Sequence, residues 1–279
     1  MRDQNGLSTR TVTQTANKAP VLSTTGLSKN FGGVRALHKV DLAVGDQEIV
    51  ALIGPTGAGK TTYFNCITGM YPPSEGRIFI DPPEGKRQTI NGKKPNQITE
   101  LGMARTFQNI RLFKEMTALE NVMVGRHTRS RAGWFQAILH FGPARREEAA
   151  IKTRAVEALE FVSLVDRADV WARNLAYGDQ RRLEIARALA SDPRILLLDE
   201  PAAGMNPEET GRLMTLIQRI RDGGVTVILI EHDMKVVMGI SDRISVLDHG
   251  LRIAGGTPEQ VRADPKVIEA YLGAPEAVE

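Results

Sequence analysis

Two spacings of apolar residues alternate along the chain. Unbroken apolar runs, which are typical of strands buried on both faces, predict strands at 49–53, 195–199 and 225–230. Apolar residues at helical spacing predict helices at 147–162, 180–190 and 208–221. Because strands and helices alternate, we expect an α/β fold in which helices cover a mostly parallel sheet.

Smaller features are predicted around this core. The pattern indicates an antiparallel layer with strands at 21–23 and 40–44, a surface loop or lengthened hairpin at 81–96, and a short helix at 117–124. Residues 1–20 are polar, rich in threonine and aperiodic, so we expect a disordered N-terminal tail, with residues 21–279 as one domain. The stretch 126–141 is basic with interleaved aromatics.

Composition excludes several classes of protein. The 279 residues are 42% hydrophobic and 25% charged, with a net charge of +3, which is ordinary for a globular protein. The mild charge and the lack of a basic, aromatic stripe give no reason to expect a nucleic-acid partner. Cys66 is the single cysteine, so no internal disulfide is expected. No apolar run approaches 18 residues, and the N-terminus lacks the apolar core of a signal peptide.

The most specific motif follows the first apolar run. Positions 54–61 read GPTGAGKT, which matches the phosphate-binding pattern GxxxxGK[ST] in its expected place between a strand and a helix. The glycines let main-chain N–H groups point at phosphate oxygens, and the helix N-terminus adds partial positive charge. Lys60 would contact the β- and γ-phosphates, and the Thr61 hydroxyl would bind Mg²⁺. The chain is therefore predicted to bind a nucleoside triphosphate.

Other polar residues lie where predicted strands end. Asp199 and Glu200 close the run at 195–199, at the edge where open α/β sheets bind ligands; Asp199 would bind Mg²⁺ and Glu200 would polarise water. His232 follows the run at 225–230 and is placed to reach a γ-phosphate. Gln108 lies between the phosphate loop and the carboxylates, and its amide oxygen could complete a Mg²⁺ shell.

A second anion-binding helix end is predicted at 174–184. There a turn of small residues precedes an alanine-rich helix, whose N-terminus would attract negative charge. Since one nucleotide needs only one phosphate loop, this second N-terminus suggests a nucleotide clamped between two copies.

With these motifs in order, residues 22–273 resemble the nucleotide-binding subunits of ABC transporters. The resemblance implies an ATPase with a P-loop core, an antiparallel β subdomain and a helical subdomain at roughly 117–170. Within the family, the chain looks most like the ATPase of branched-chain amino acid importers. Segments typical of that branch are 105–113, 174–178, 201–207, 231–234 and 256–273.

The resemblance assigns roles to individual residues. The implied catalytic residues are Glu200, His232 and Lys60. The implied ATP-binding residues are Phe31, which would stack on adenine, and Gly54, Pro55, Thr56, Gly57, Ala58, Gly59, Lys60, Thr61 and Thr62. The implied Mg²⁺ ligands are Thr61, Gln108 and Asp199. The signature that would meet the partner's nucleotide is Ala176, Tyr177, Gly178 and Asp179.

The signature departs from the general Leu-Ser-Gly-Gly-Gln pattern of the family. Ala176, Tyr177 and Asp179 replace the serine, the first glycine and the glutamine, which leaves Gly178 and the backbone to meet a γ-phosphate. An acid at Asp179 would repel that phosphate if the two faced each other. Asn206 also stands where most relatives carry an aspartate.

The resemblance also implies partners and a location. ATP and Mg²⁺ would be bound at the cytoplasmic face of the membrane, with two transmembrane permease subunits, a second ATPase subunit and, indirectly, a substrate-binding protein. A heterodimer of ATPases is favoured over a homodimer. The basic, aromatic stretch 126–141 is the candidate contact with the membrane subunits or with lipid headgroups, or a solvated insertion. Two alternatives stay open: the ATPase of a lipopolysaccharide-type exporter, and a soluble ABC ATPase outside transport.

Overall fold

The computed structural model describes residues 20–82, 85–127 and 142–272. The predicted tail lies outside the described residues except for Pro20, and so does nearly all of the basic, aromatic stretch at 126–141. The strands are β1 (Leu22–Phe31), β2 (Val34–Val44), β3 (Ile49–Ile53), β4 (Glu75–Ile80), β5 (Gln88–Thr89), β6 (Met103–Arg105), β7 (Ile195–Asp199), β8 (Thr226–Ile230), β9 (Arg243–Asp248) and β10 (Leu251–Gly256).

The α-helices are interspersed with the strands after β3. They are α1 (Lys60–Ile67), α2 (Pro95–Glu100), α3 (Ala118–His127), α4 (Gly142–Phe161), α5 (Tyr177–Leu189), α6 (Pro207–Asp222), α7 (Met234–Ile240), α8 (Pro258–Arg262) and α9 (Pro265–Leu272). None of these helices is long and apolar enough to span a bilayer, within the part of the chain that the structure describes.

The central sheet follows the predicted α/β pattern. Its described strands run in the order β10-β9-β3-β8-β7-β6. All neighbours are parallel except β10, which runs antiparallel to β9. Every residue of β3, β7 and β8 is buried, as expected for strands covered on both faces. The runs at 49–53 and 195–199 coincide with β3 and β7, whereas the third strand begins one residue after the predicted start.

A second sheet is antiparallel throughout, in the order β2-β1-β4-β5. The predicted strands near 21–23 and 40–44 are confirmed as neighbours, but β1 and β2 are much longer than predicted. Their outer parts are half-exposed, so they lack the continuous apolar run on which the prediction depended. The predicted loop or lengthened hairpin at 81–96 includes β5, which pairs with β4.

The predicted helices are present with shifted ends. The segment predicted at 180–190 begins at Tyr177, so the signature residues form the first turn of α5. Helix α6 starts at Pro207 because the side chain of Asn206 accepts a hydrogen bond from the Glu209 N–H at 3.0 Å, which is a strong N-cap. Asn206 thus has a structural role within its own chain.

Alternate residues of each central strand face two separate hydrophobic cores. In β3, Ile49, Ala51 and Ile53 belong to the core that includes α5 and α6. Val50 and Leu52 belong to the core formed with α1 and the antiparallel sheet. Cys66 lies in this second core, where burial raises its pKa to about 11, so its thiol stays protonated at neutral pH.

We predict that Leu197→Ala in β7 lowers the free energy of unfolding by about 2–5 kcal/mol, because a fully buried leucine is lost and a cavity is left. Leu251→Ala is the matched control, since that leucine is 44% exposed in β10, and its cost should be about 0.5 kcal/mol. Urea unfolding of the nucleotide-free chain measures both. Equal losses in the two variants would contradict this account of the core.

Candidate nucleotide-binding site

Two glycines let the phosphate loop pack tightly between β3 and α1. Gly54 has φ 149°, and a Cβ there would lie 2.0 Å from the carbonyl oxygen of Leu247. Gly59 has φ 101°, and its Cβ would lie 2.6 Å from the carbonyl oxygen of Ala36. Both contacts are too short for any side chain, so the loop conformation requires glycine at both positions.

The N-terminus of α1 is open to an anion. No side chain caps it, and its first turn contains no acid, so the first N–H groups of the helix have no partner of that kind. Lys60 is buried, and its ammonium donates to the carbonyls of Gly54 at 2.7 Å and Pro55 at 2.9 Å. Burial lowers the pKa of Lys60, and the charges of Glu200 and Asp199 oppose that shift.

The other predicted nucleotide contacts surround this helix end. Thr61 is exposed and Thr62 is half-buried in the first turn of α1. Phe31 lies at the end of β1 with 43% of its surface exposed, so it is not a core residue. Its ring meets Tyr71 edge-on at 5.3 Å between centroids, and the Lys29 ammonium lies 4.9 Å from its ring centroid.

Asp199 is held by an arginine that the sequence analysis did not assign to the site. Its Oδ2 accepts a hydrogen bond from Arg105 Nη2 at 2.8 Å, and both side chains are buried. Arg105 also donates to Asn65 Oδ1 at 2.7 Å and to the Thr68 hydroxyl at 3.2 Å. The predicted Mg²⁺ ligand is therefore oriented by a charge-assisted hydrogen bond.

Three predicted residues meet at the carboxyl edge of the sheet. The Glu200 carboxylate accepts hydrogen bonds from Gln108 Nε2 at 2.7 Å and from His232 Nε2 at 2.6 Å. Glu200 has φ 48°, in the left-handed region, and its N–H donates to the carbonyl of Ile230 at 2.9 Å. These residues come from loops after β6, β7 and β8, so the parallel sheet brings them together.

A second acid lies beneath this cluster. Glu231 is buried, and its carboxylate accepts from the N–H groups of Ala202 at 2.7 Å and His232 at 3.1 Å. Burial raises the pKa of Glu231, while these hydrogen bonds oppose the shift. Glu231 joins the segment after Glu200 to the histidine loop. In the sequence it follows an apolar run and lies in the segment 231–234 that is typical of the resembled branch, but neither signal assigned it a role.

The signature residues begin α5 at a distance in sequence from the phosphate loop. Ala176 is the N-cap residue, although its side chain makes no capping bond. Asp179 is largely buried and pairs with Arg182 at 2.5 Å and Arg167 at 3.7 Å. Its charge is therefore compensated within the chain, which removes the isolated negative charge that the sequence suggested. The Tyr177 hydroxyl donates to the carbonyl of Ala203 at 2.9 Å.

The C-terminal helix approaches the phosphate loop from the other side. Tyr271 in α9 is 41% exposed; partial desolvation of its hydroxyl raises its pKa, and the nearby Gly54 backbone opposes that shift. A cavity of about 670 Å³ lies between residues 55–58 and α9. Residues of the C-terminal segment thus help to shape the surroundings of the loop.

Comparison with known proteins shows the family to which the chain belongs. A family model described as "ABC transporter" matches residues 37–203, which is more than half of the chain. A model described as "Branched-chain amino acid ATP-binding cassette transporter" matches residues 252–277. The second match includes α9, the helix beside the phosphate loop.

Named relatives and a solved structure extend the similarity over most of the chain. The LivG branched-chain amino acid transport ATP-binding protein of Escherichia coli K12 is 51% identical over 91% of this chain and 98% of its own length. BraF of Pseudomonas aeruginosa, also named a branched-chain amino acid transport ATP-binding protein, is 49% identical with the same coverage.

The ADP conformation of an ATP-binding cassette of an ABC transporter matches with a TM-score of 0.78 at 31% identity, covering 92% of this chain and 100% of that chain. The predicted fold and family are both confirmed. The chain is an ABC transporter ATP-binding protein, and it belongs to the LivG and BraF group of branched-chain amino acid transport ATPases.

Proposed function

We propose that this chain powers the uptake of branched-chain or related small amino acids by hydrolysing Mg·ATP between its own phosphate loop and the signature of a second ATPase subunit. The cluster of Gln108, Glu200 and His232 beside Lys60 carries the chemical part of this proposal. The names of relatives that are about half identical in sequence support the substrate class, and favour import over export.

The cluster suggests how ATP would switch the site on. Glu200 now accepts hydrogen bonds from both Gln108 and His232. A γ-phosphate offers more highly charged acceptor oxygens to the same two donors, so we expect them to turn toward it. The Glu200 carboxylate is then free to accept a hydrogen bond from a water molecule. It would orient this water for in-line attack on the γ-phosphorus and accept its proton as a general base.

Lys60 would also exchange its present hydrogen-bond acceptors for phosphate oxygens. Its ammonium is bound to two main-chain carbonyls, and charged phosphate oxygens are stronger acceptors than carbonyls. On binding, it would move to the β- and γ-phosphates, while the N–H groups at the start of α1 hold the phosphates from below. Both groups stabilise the negative charge of the transition state.

The predicted Mg²⁺ ligands fit that ion chemically. Thr61, Gln108 and Asp199 offer hydroxyl, amide and carboxylate oxygens, which are the hard donors that Mg²⁺ prefers. In nucleotide sites Mg²⁺ is usually held by one or two protein ligands together with substrate phosphates and water. Magnesium would neutralise charge on the β- and γ-phosphates.

The partner ATPase is a further part of the proposal. A working dimer contains two nucleotides, each between one phosphate loop and the other chain's signature. This chain offers its partner Gly178 and the N-terminus of α5, with Asp179 neutralised by Arg182 and Arg167. We propose a heterodimer in which the other chain carries a fuller signature, so that the site containing Lys60 and Glu200 hydrolyses ATP faster.

We predict that Glu200→Gln leaves ATP affinity within about twofold and lowers turnover about 10²- to 10⁴-fold, the usual contribution of a general base. ATP-bound dimers should then accumulate, since the nucleotide is not consumed. Size-exclusion chromatography and steady-state hydrolysis measure the two effects. Glu208→Gln, which changes an exposed acid in α6, is the control, and wild-type turnover in Glu200→Gln would reject the role.

We predict that Phe31→Ala weakens ATP binding by about 1–3 kcal/mol, the scale of base–aromatic stacking. Because the ring is 43% exposed, the thermal stability of the nucleotide-free chain should change little. Phe113→Ala is the matched control, since that ring is 47% exposed in the loop between β6 and α3. Unchanged affinity in Phe31→Ala, or equal losses in both variants, would exclude stacking.

We predict that Lys60→Ala in this chain reduces ATPase activity and transport more than the equivalent lysine change in the partner ATPase. Each variant is measured in the assembled transporter, reconstituted in vesicles with its substrate-binding protein. Equal losses would argue against unequal sites. A fully active importer with two copies of this chain and no second ATPase would rule out the heterodimer.

A further inference from the structure

An arginine of α5 is hydrogen-bonded to the main chain of the loop that contains Gln108. Arg181 is completely buried, and its guanidinium donates to the carbonyl oxygens of Phe107 at 2.7 Å and Gln108 at 2.8 Å. The side chain of the same Gln108 binds Glu200. One residue is therefore joined through its side chain to the catalytic cluster and through its main chain to the signature helix.

A tyrosine continues this chain of contacts. Arg181 Nη2 donates to the Tyr177 hydroxyl at 3.2 Å, and that hydroxyl donates to the carbonyl of Ala203 at 2.9 Å. The ring of Tyr177 also packs beside Gly204, where a Cβ would lie 3.5 Å from the ring. The contacts thus connect the glutamine loop, the signature turn and the loop after Glu200.

The contribution of buried Arg181 to folding stability is a weak explanation for these contacts. Arg181 pairs with Glu184 at 3.1 Å in a buried site, and burial raises the pKa of Glu184 while Arg181 opposes that shift. Arg181 Nε has no hydrogen-bond partner among the described residues. Buried ion pairs often stabilise no better than apolar side chains of similar size, and an unpaired N–H is a cost.

We propose that Tyr177 and Arg181 are positioning residues that transmit nucleotide occupancy at this chain's own phosphate loop to the signature turn it presents to its partner. The inference rests on the proposed function, in which Gln108 meets the chain's own nucleotide and residues 176–179 meet the partner's. When Gln108 turns toward a γ-phosphate, its main chain shifts. Arg181, which is hydrogen-bonded to that main chain, then shifts as well and displaces the first turn of α5.

The departure of the signature from the family pattern is central to this device. The general pattern has glycine where this chain has Tyr177, and glycine offers no hydroxyl to join Arg181 to Ala203. Replacing glycine by tyrosine therefore does more than remove a small residue that could approach a phosphate. The Tyr177 hydroxyl adds a hydrogen-bonded link between two loops of its own chain.

The test uses the full chain, alone, at a concentration where size-exclusion chromatography shows monomers. Under those conditions a nucleotide reaches the phosphate loop but no partner covers the signature. Hydrogen exchange is followed on a millisecond scale with and without Mg²⁺ and the non-hydrolysable analogue AMP-PNP. The peptides of interest cover residues 54–62 and 174–186.

In the wild type, we expect the analogue to slow exchange in both peptides, by about threefold or more in the signature peptide, the scale of coupling through a packed network. In Tyr177→Phe, which keeps the ring but removes both hydrogen bonds, only the phosphate loop should respond. Arg181→Lys keeps the charge but cannot bind both carbonyls in one plane, and it should behave the same way. Tyr63→Phe removes another hydroxyl, which is bonded to Thr24, and should respond like the wild type.

Each outcome has a distinct meaning. No protection of residues 54–62 in the wild type would contradict the proposed ATP site itself. Protection of the loop with an unresponsive signature peptide, or an equal response in Tyr177→Phe and the wild type, would overturn only the inference. The melting temperature of every variant is measured as well. The inference requires that Tyr177→Phe lose the signature response while its melting temperature falls no more than that of Tyr63→Phe.

Discussion

Parallel pairing in the central sheet is the constraint on which the site depends. It places the carboxyl ends of β3, β6, β7 and β8 along a single edge, and each of these ends leads into a loop that supplies chemistry. The phosphate loop, the glutamine loop, the two carboxylates and the histidine are far apart in sequence. They become neighbours only because the strands before them run in the same direction.

Charge at this edge is arranged in compensated groups. Asp199 is paired with Arg105, Glu231 is bound by main-chain N–H groups, and Glu200 is held by an amide and an imidazole. Burial without partners would penalise each of these carboxylates. Of these partners, Gln108 and His232, which bind Glu200 without nucleotide, are the donors proposed to turn toward a γ-phosphate.

The sequence predicted the framework of the fold and the positions of the motifs, because each depends on a local signal. Continuous apolar runs located β3 and β7, and the GxxxxGK[ST] pattern located the phosphate loop. The half-exposed ends of β1 and β2 gave no such run, so their lengths were underestimated. The contacts of Arg105 with Asp199 and of Arg181 with Gln108 join residues more than 70 positions apart. No local pattern marks such pairs, and only the folded chain brings them together.

The backbone of Glu200 has a conformational free-energy cost. Its left-handed backbone costs an L-residue about 1–2 kcal/mol, and glycine would adopt the same conformation without that cost. A search for more stable variants would therefore favour glycine here and would erase the carboxylate while improving the fold. At Glu200 this unfavourable conformation coincides with the proposed catalytic carboxylate, and the strain therefore supports the role proposed for it.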